Sequence, residues 1–182
     1  MKDKWECELI SLKKFPIAVY IQMQLCEQSL DDWLENHRSQ PRNLPQMKSW
    51  FKQIVSAVAY IHEKKNCIHR DLKPSNFLLT KNQKVIKLAD FGVATERVVN
   101  ASGDNILSNI PRDPAGTDMY MSPEQINYGG YGSKSDVFTL GLILTELSVV
   151  LSDRRMKVFN ELRIGKQCII FKDKDTATFV SW

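Results

Sequence analysis

Glycine is scarce in this chain: there are eight in 182 residues, and none comes before Gly92. A backbone approaches a phosphate closely where no Cβ is in the way, so the first half cannot form a glycine-rich phosphate-cradling turn. Cysteine is sparse as well. Cys7, Cys26, Cys67 and Cys168 lie far apart with no C-x-x-C pair, which argues against a zinc site and fits reduced thiols. Charge of one sign is never concentrated: the net charge is +4 and no block of five like charges occurs, so no nucleic-acid partner is expected. Long apolar runs are also missing. The longest, Leu140 to Leu151, is interrupted by Thr145, Glu146 and Ser148 and is too short to span a bilayer. No apolar core follows Met1-Lys2-Asp3-Lys4-Trp5-Glu6, so neither a secretory signal nor a membrane partner is expected, and the expected location is cytoplasmic. The remaining composition, 43% apolar and 25% charged, suits one globular domain without repeats or low-complexity tracts.

Periodicity places the elements. Ile17 to Met23 is rich in β-branched and aromatic residues and reads as a buried strand. Ser29 is suited to cap a short helix whose first turn holds Asp31 and Asp32. Pro45 opens a long helix in which Met47, Trp50, Phe51, Ile54, Val55, Val58 and Ile61 form one core-facing stripe. Phe77-Leu78-Leu79-Thr80 and Val85-Ile86-Lys87-Leu88 flank the polar turn Lys81-Asn82-Gln83 and read as a hairpin. Gly129-Gly130-Tyr131-Gly132 reads as a loop, and residues 135–151 and 155–165 as two further helices. The fold class is α+β, mainly α-helical.

The chemistry sits at both ends of that hairpin. His69-Arg70-Asp71-Leu72-Lys73-Pro74-Ser75-Asn76 precedes it, and Asp90-Phe91-Gly92 follows fourteen residues after Asn76. The hairpin would carry Asn76 and Asp90 to one metal. The set suits phosphoryl transfer, in which the protein mainly positions groups and neutralises charge. Asp71 is the candidate acceptor for the proton of an attacking hydroxyl. Lys73 is the point charge beside the transferring phosphate. Asn76 and Asp90 are the hard oxygen ligands that Mg2+ prefers. His69, flanked by Cys67 and Ile68, reads as a buried structural imidazole.

At these residues the chain resembles the eukaryotic protein kinases, and the resemblance runs over residues 17–165. Gly116-Thr117-Asp118-Met119-Tyr120-Met121-Ser122-Pro123-Glu124 resembles the close of an activation segment, and Ser135-Asp136-Val137-Phe138-Thr139-Leu140-Gly141 the start of the central buried helix. Tyr20 to Cys26, Ser29 to Leu34, the run ending at Gln125, and Phe159 to Gly165 resemble the narrower group that phosphorylates the alpha subunit of translation initiation factor 2. The resemblance implies ATP and Mg2+ as cofactors and a serine/threonine branch, through Lys73. It also implies a nucleotide site in which Met23 gates the rear pocket, backbone groups of Gln24 and Cys26 meet the adenine edge, and Leu78 packs beneath the ring. Structural and regulatory positions by the same resemblance are His69, Arg70, Phe91, Gly92, Thr117, Glu124 and Asp136. Arg70 would grip a phosphate on the activation loop, Thr117 would bond toward Asp71 and Lys73, and Lys157, Asn160, Glu161 and Arg163 would face a protein partner.

Departures from the family pattern shape the expected domain plan. With no early glycine loop and no room for the phosphate-anchoring lysine before Met23, residues 1–24 are expected to be a remnant of the small lobe. Residues 25–165 would form the large (C-terminal) lobe and 166–182 a divergent tail. No Asp-Arg-Pro motif follows Gly165, so Glu124 is expected to lack its usual arginine. The stretch before Gly116 has no hydroxyl, leaving Thr95, Ser102 and Ser108 as loop phosphorylation sites, with Arg112 and Asp113 as partial replacements, in a loop expected to be irregular. Two functions follow. One is a serine/threonine kinase acting on a protein substrate, by resemblance the initiation factor 2 alpha subunit. The other is a catalytically impaired module that binds that substrate or full-length kinase relatives.

Overall fold

The computed structural model describes residues 20, 22–96, 118–127, 132–151 and 154–165. The core forms where the long helix meets the hairpin. α2 (Leu44–Lys64) begins at Asn43, whose side chain accepts from the Gln46 amide at 3.1 Å, with Pro45 in the first turn. It ends where Asn66 turns left-handed at φ 49°, with His62 and Lys64 in its last turn. Met47, Trp50, Ile54, Val58 and Ile61 are buried along one face, each worth about 1.5–3 kcal/mol of burial. Phe51 is half-buried and Val55 is exposed, so the stripe is narrower than its sequence spacing suggested. The face it covers is bounded by the hairpin and the helix that carries Asp136.

α1 (Leu30–Asn36) opens on a reciprocal cap: Ser29 Oγ accepts from the Asp32 amide at 3.1 Å, and Asp32 Oδ2 accepts from the Ser29 amide at 3.0 Å. A three-stranded antiparallel sheet follows, ordered β1 (Gln28–Ser29), β3 (Phe77–Leu79), β4 (Ile86–Leu88). Its registers are Gln28 with Leu79 and Phe77 with Leu88. Trp50 Nε1 donates to Gln83 O at 2.8 Å and Gln53 Oε1 accepts from the Ile86 amide at 3.0 Å, so α2 holds the hairpin at its turn and along β4. A second ribbon pairs β2 (Cys67–Ile68) with β5 (Thr95–Glu96). The described start of the expected irregular loop is therefore a paired strand.

α3 (Pro123–Ile126), α4 (Ser133–Ser148) and α5 (Arg155–Arg163) complete the described elements. α4 buries residues on nearly every side, from Ser135 to Ser148, as a helix wrapped by its own domain does. No helix among the described residues is long and apolar enough to cross a membrane. The expected strand from Ile17 to Met23 falls partly outside the described residues. Over its described part the chain has no regular structure, and Tyr20 (93%), Met23 (75%) and Leu25 (93%) are exposed. An apolar strand needs a paired and covered face, and no described segment pairs with this one.

Candidate functional site

Two turns of backbone build the site. The first runs from His69 to Asn76. Asp136, 2% exposed on α4, accepts from the His69 amide through Oδ2 and from the Arg70 amide through Oδ1, both at 3.0 Å. His62 Nε2 donates to the same Oδ2 at 2.7 Å. Arg70 sits at φ 72°, a left-handed conformation costing a non-glycine residue about 1–3 kcal/mol. Its carbonyl accepts from Gln125 Nε2 at 3.3 Å, so the strained residue is gripped from both sides.

The second turn is the end of the hairpin. The Ala89 amide donates to Asn76 O at 2.9 Å, which sets Asp90 beside Asn76 as the hairpin reading required. His69 is fully buried and its Nε2 donates to Ala89 O at 3.1 Å, tying the two turns together. Asp90 is left-handed at φ 59°, and its Oδ1 accepts from the Gly92 amide at 3.3 Å. A Cβ at position 92 would lie 3.2 Å from that Oδ1, so glycine is what lets the chain fold beneath the carboxylate. Phe91, half exposed, lies 5.0 Å from the His69 ring.

Between these turns the acidic and basic groups meet. Lys73 Nζ lies 2.7 Å from Asp71 Oδ2, and Asn76 Nδ2 donates to Asp71 O at 2.7 Å and to Oδ2 at 3.3 Å. Among the described residues, the side-chain contacts of Asp71 with Lys73 and Asn76 both fall on Oδ2, and none falls on Oδ1. Asn76 commits its amide nitrogen to Asp71, which leaves its carbonyl oxygen as the ligating atom. Asp90 adds a carboxylate on an exposed turn. This pair of oxygen donors fits Mg2+, which keeps several waters and takes only one or two protein ligands when it accompanies a phosphate. Among the described residues no group of three His, Cys, Asp or Glu could form a metal cage.

The hinge-side residues are less assembled. Met23 and Gln24 are exposed and Cys26 is half-buried, its Sγ 3.8 Å from Gln24 O; Lys87 Nζ donates to Gln24 Oε1. Leu78 is half-buried on β3. Thr117 and the loop positions Ser102, Ser108, Arg112 and Asp113 lie outside the described residues. Arg70 Nη1 donates to Val93 O at 3.3 Å, so part of its guanidinium is engaged with the start of that loop. Glu124, expected to lack its usual arginine, accepts from Ser135 Oγ at 2.7 Å. Arg163 corrects another expectation: its guanidinium turns inward to Met119 O and Met121 O (Nε to Met121 O, 2.9 Å), and so is not an exposed anchor. Sequence reasoning also missed His62 and Gln125. The S-x-x-Q capping pattern of Ser122 to Gln125 was the available signal for the latter.

Asp71, Lys73 and Asn76 at one end of the hairpin and Asp90 at the other thus share one site between helices, and the chain belongs to the protein kinase domain family, whose profile matches residues 7–173. Among its relatives, it is 37% identical over 159 residues to the eukaryotic translation initiation factor 2-alpha kinase pek-1 of Caenorhabditis elegans, covering 81% of this chain and 15% of that protein. It is 37% identical over 167 residues to eukaryotic translation initiation factor 2-alpha kinase 3 of Rattus norvegicus, covering 87% of this chain and 15% of that one. It is 39% identical over 151 residues to the interferon-induced, double-stranded RNA-activated protein kinase of Mus musculus, covering 81% of this chain and 28% of that one. The chain thus spans well under a third of the length of these curated relatives.

Proposed function

We propose that this chain carries the catalytic loop of a serine/threonine protein kinase whose substrate is the alpha subunit of translation initiation factor 2, working in the cytoplasm. Residues 25–165 would form the large lobe, with 1–24 belonging to the small-lobe strands and hinge entry and 166–182 a divergent tail. The observation that carries the reading is the arrangement at Asp71: Lys73 and Asn76 both engage Oδ2, and among the described residues Oδ1 is the atom left to receive a hydroxyl proton. Bound Mg2+-ATP would supply the transferable γ-phosphoryl group and neutralise its charge.

Each residue then has one task. Asp71 orients the substrate hydroxyl and accepts its proton. Lys73 keeps a positive charge beside the carboxylate and the incoming phosphate. Asn76 and Asp90 would hold the metal, the first fixed by its bond to Asp71 and the second by the Gly92 turn. Met23, Gln24, Cys26 and Leu78 would receive the adenine. The names of the relatives supply the substrate class, and that step rests on resemblance. Phosphate transfer to purified initiation factor 2 alpha subunit tests it. The chain should label the factor, and Asp71→Asn should lower the rate by about two orders of magnitude or more, in line with loss of a positioned base. Undiminished labelling by that variant would remove Asp71 from its role.

A second reading has its own observation. Tyr20, Met23 and Leu25 are exposed, as they would be in a module that binds the substrate or a full-length kinase without turnover. Stable capture of the alpha subunit with no labelling would favour it.

A further inference from the structure

We infer that Arg163 is a positioning residue for the Asp71 loop, acting from α5 through residues 119–125 onto the carbonyl of Arg70. The inference rests on the kinase reading for the importance of Asp71, but the linkage itself is geometric.

α5 holds residues 119–121 with one face. Arg155, Phe159 and Arg163 recur every four residues and therefore share a side of the helix. Arg155 Nε lies 2.5 Å from Glu146 Oε1, and Tyr120 OH donates to Glu146 Oε2 at 2.5 Å. The Phe159 and Tyr120 rings meet edge to face at 5.5 Å. Arg163 then bridges the two peptide carbonyls that flank Tyr120, those of Met119 and Met121, while Nη1 donates to Asn160 Oδ1 at 2.8 Å and so sets the plane of the fork. Only a guanidinium has donors spread widely enough for this. A lysine ammonium is a single point and satisfies one carbonyl.

The hold passes on without a gap. Met121 leads into the cap of α3, where the Ser122 amide donates to Gln125 Oε1 at 2.8 Å and the Gln125 amide to Ser122 Oγ at 3.4 Å. The other end of the same side chain, Gln125 Nε2, donates to Arg70 O at 3.3 Å. That carbonyl belongs to the peptide bond that carries Asp71. Arg70 is left-handed at φ 72°, and its amide is fixed separately by Asp136. With α4 holding its nitrogen and Gln125 its oxygen, the strained conformation is determined from two directions, as strain at a functional site requires. Releasing the Gln125 side lets Arg70 relax toward ordinary φ and swings the Asp71 peptide away.

Amide hydrogen exchange on the 182-residue chain tests this without nucleotide or substrate, so its outcome is separate from whether the chain is a kinase, which magnesium-nucleotide binding decides. The variants are Arg163→Gln, Arg163→Lys, Gln125→Ala and the double variant Arg163→Gln with Gln125→Ala. Arg163→Gln should raise exchange of the Ser122, Gln125, His69 and Arg70 amides by about tenfold while the interior of α2 keeps wild-type rates, the pattern of local rather than global opening. Arg163→Lys should behave more like Arg163→Gln than like wild type, and it carries the test alone if the glutamine variant does not fold. In the Gln125→Ala background, Arg163→Gln should add nothing further at His69 and Arg70. Exchange raised at Ser122 but not at Arg70, an additive effect in the double variant, or a uniform rise that includes α2 would each overturn the inference.

Discussion

Asp136 shows how one buried carboxylate can organise the loop from His69 to Asn76. Its two oxygens serve the His69 and Arg70 amides and the His62 ring, so Asp136→Ala leaves two buried backbone donors without an acceptor. Each unsatisfied donor costs about 1–3 kcal/mol, whereas Asp136→Asn keeps one acceptor and should lose less. Urea unfolding of both variants checks the order, and an alanine variant within about 0.5 kcal/mol of wild type would contradict it. Glu146 makes a pH prediction. Burial pushes its carboxyl above the usual range, against the opposing pull of Arg155 and the Tyr120 hydroxyl. A raised folded value means the unfolded chain gives up this proton first as pH rises, so the folded state loses stability from about pH 4 up through the raised value. Asp32 works in the opposite sense: hydrogen bonds from the Ser29 side chain and backbone hold it below its usual range, so its contribution is present above about pH 4 and disappears in acid. Glu146→Gln should flatten the mildly acidic part of the melting-temperature profile, and an unchanged profile would sink the assignment.

At the scale of elements, α2 and the hairpin form one mechanical unit. Trp50, 1% exposed, fills the core and also anchors the turn through Gln83 O. Trp50→Phe keeps most of the apolar area but removes the donor, and should cost about 1–3 kcal/mol through the carbonyl left unpaired and the space left behind. Faster amide exchange at the turn, with α1 unchanged, is the local signature expected; equal acceleration in α1 would speak against a single anchored unit. The hairpin was legible in sequence because two short apolar runs flank a polar turn, and the long helix because its period is strong. The β2–β5 ribbon was not legible, since Cys67-Ile68 and Thr95-Glu96 are dipeptides whose pairing depends on tertiary approach. Nor was the fate of Val55: its spacing fits the stripe, but the covering elements do not reach that side of α2.

At the scale of the whole molecule, the candidate catalytic groups were legible because phosphoryl transfer needs them in fixed order along one loop-hairpin-loop segment. The supports that hold them were less so, because His62 and Gln125 come from separate helices and reach the loop through the Asp136 carboxylate and the Arg70 carbonyl, partners 74 and 55 residues away in sequence. On the hinge side, the described residues Tyr20, Gln22 and Met23 are exposed and outside any strand: an apolar run such as Ile17 to Met23 states that it is to be covered, not what covers it. On the proposed function, Asn76 and Asp90 would form a metal-dependent nucleotide site beside Asp71. Calorimetric titration of the 182-residue chain with ATP, with and without Mg2+, tests it most directly. The first glycine is Gly92, so no glycine turn from the preceding residues adds backbone contacts to the phosphates. The predicted result is weak binding, with a dissociation constant on the order of millimolar, that requires Mg2+ and is lost in Asp90→Ala. Binding that is indifferent to Mg2+, or that survives Asp90→Ala unchanged, would contradict it.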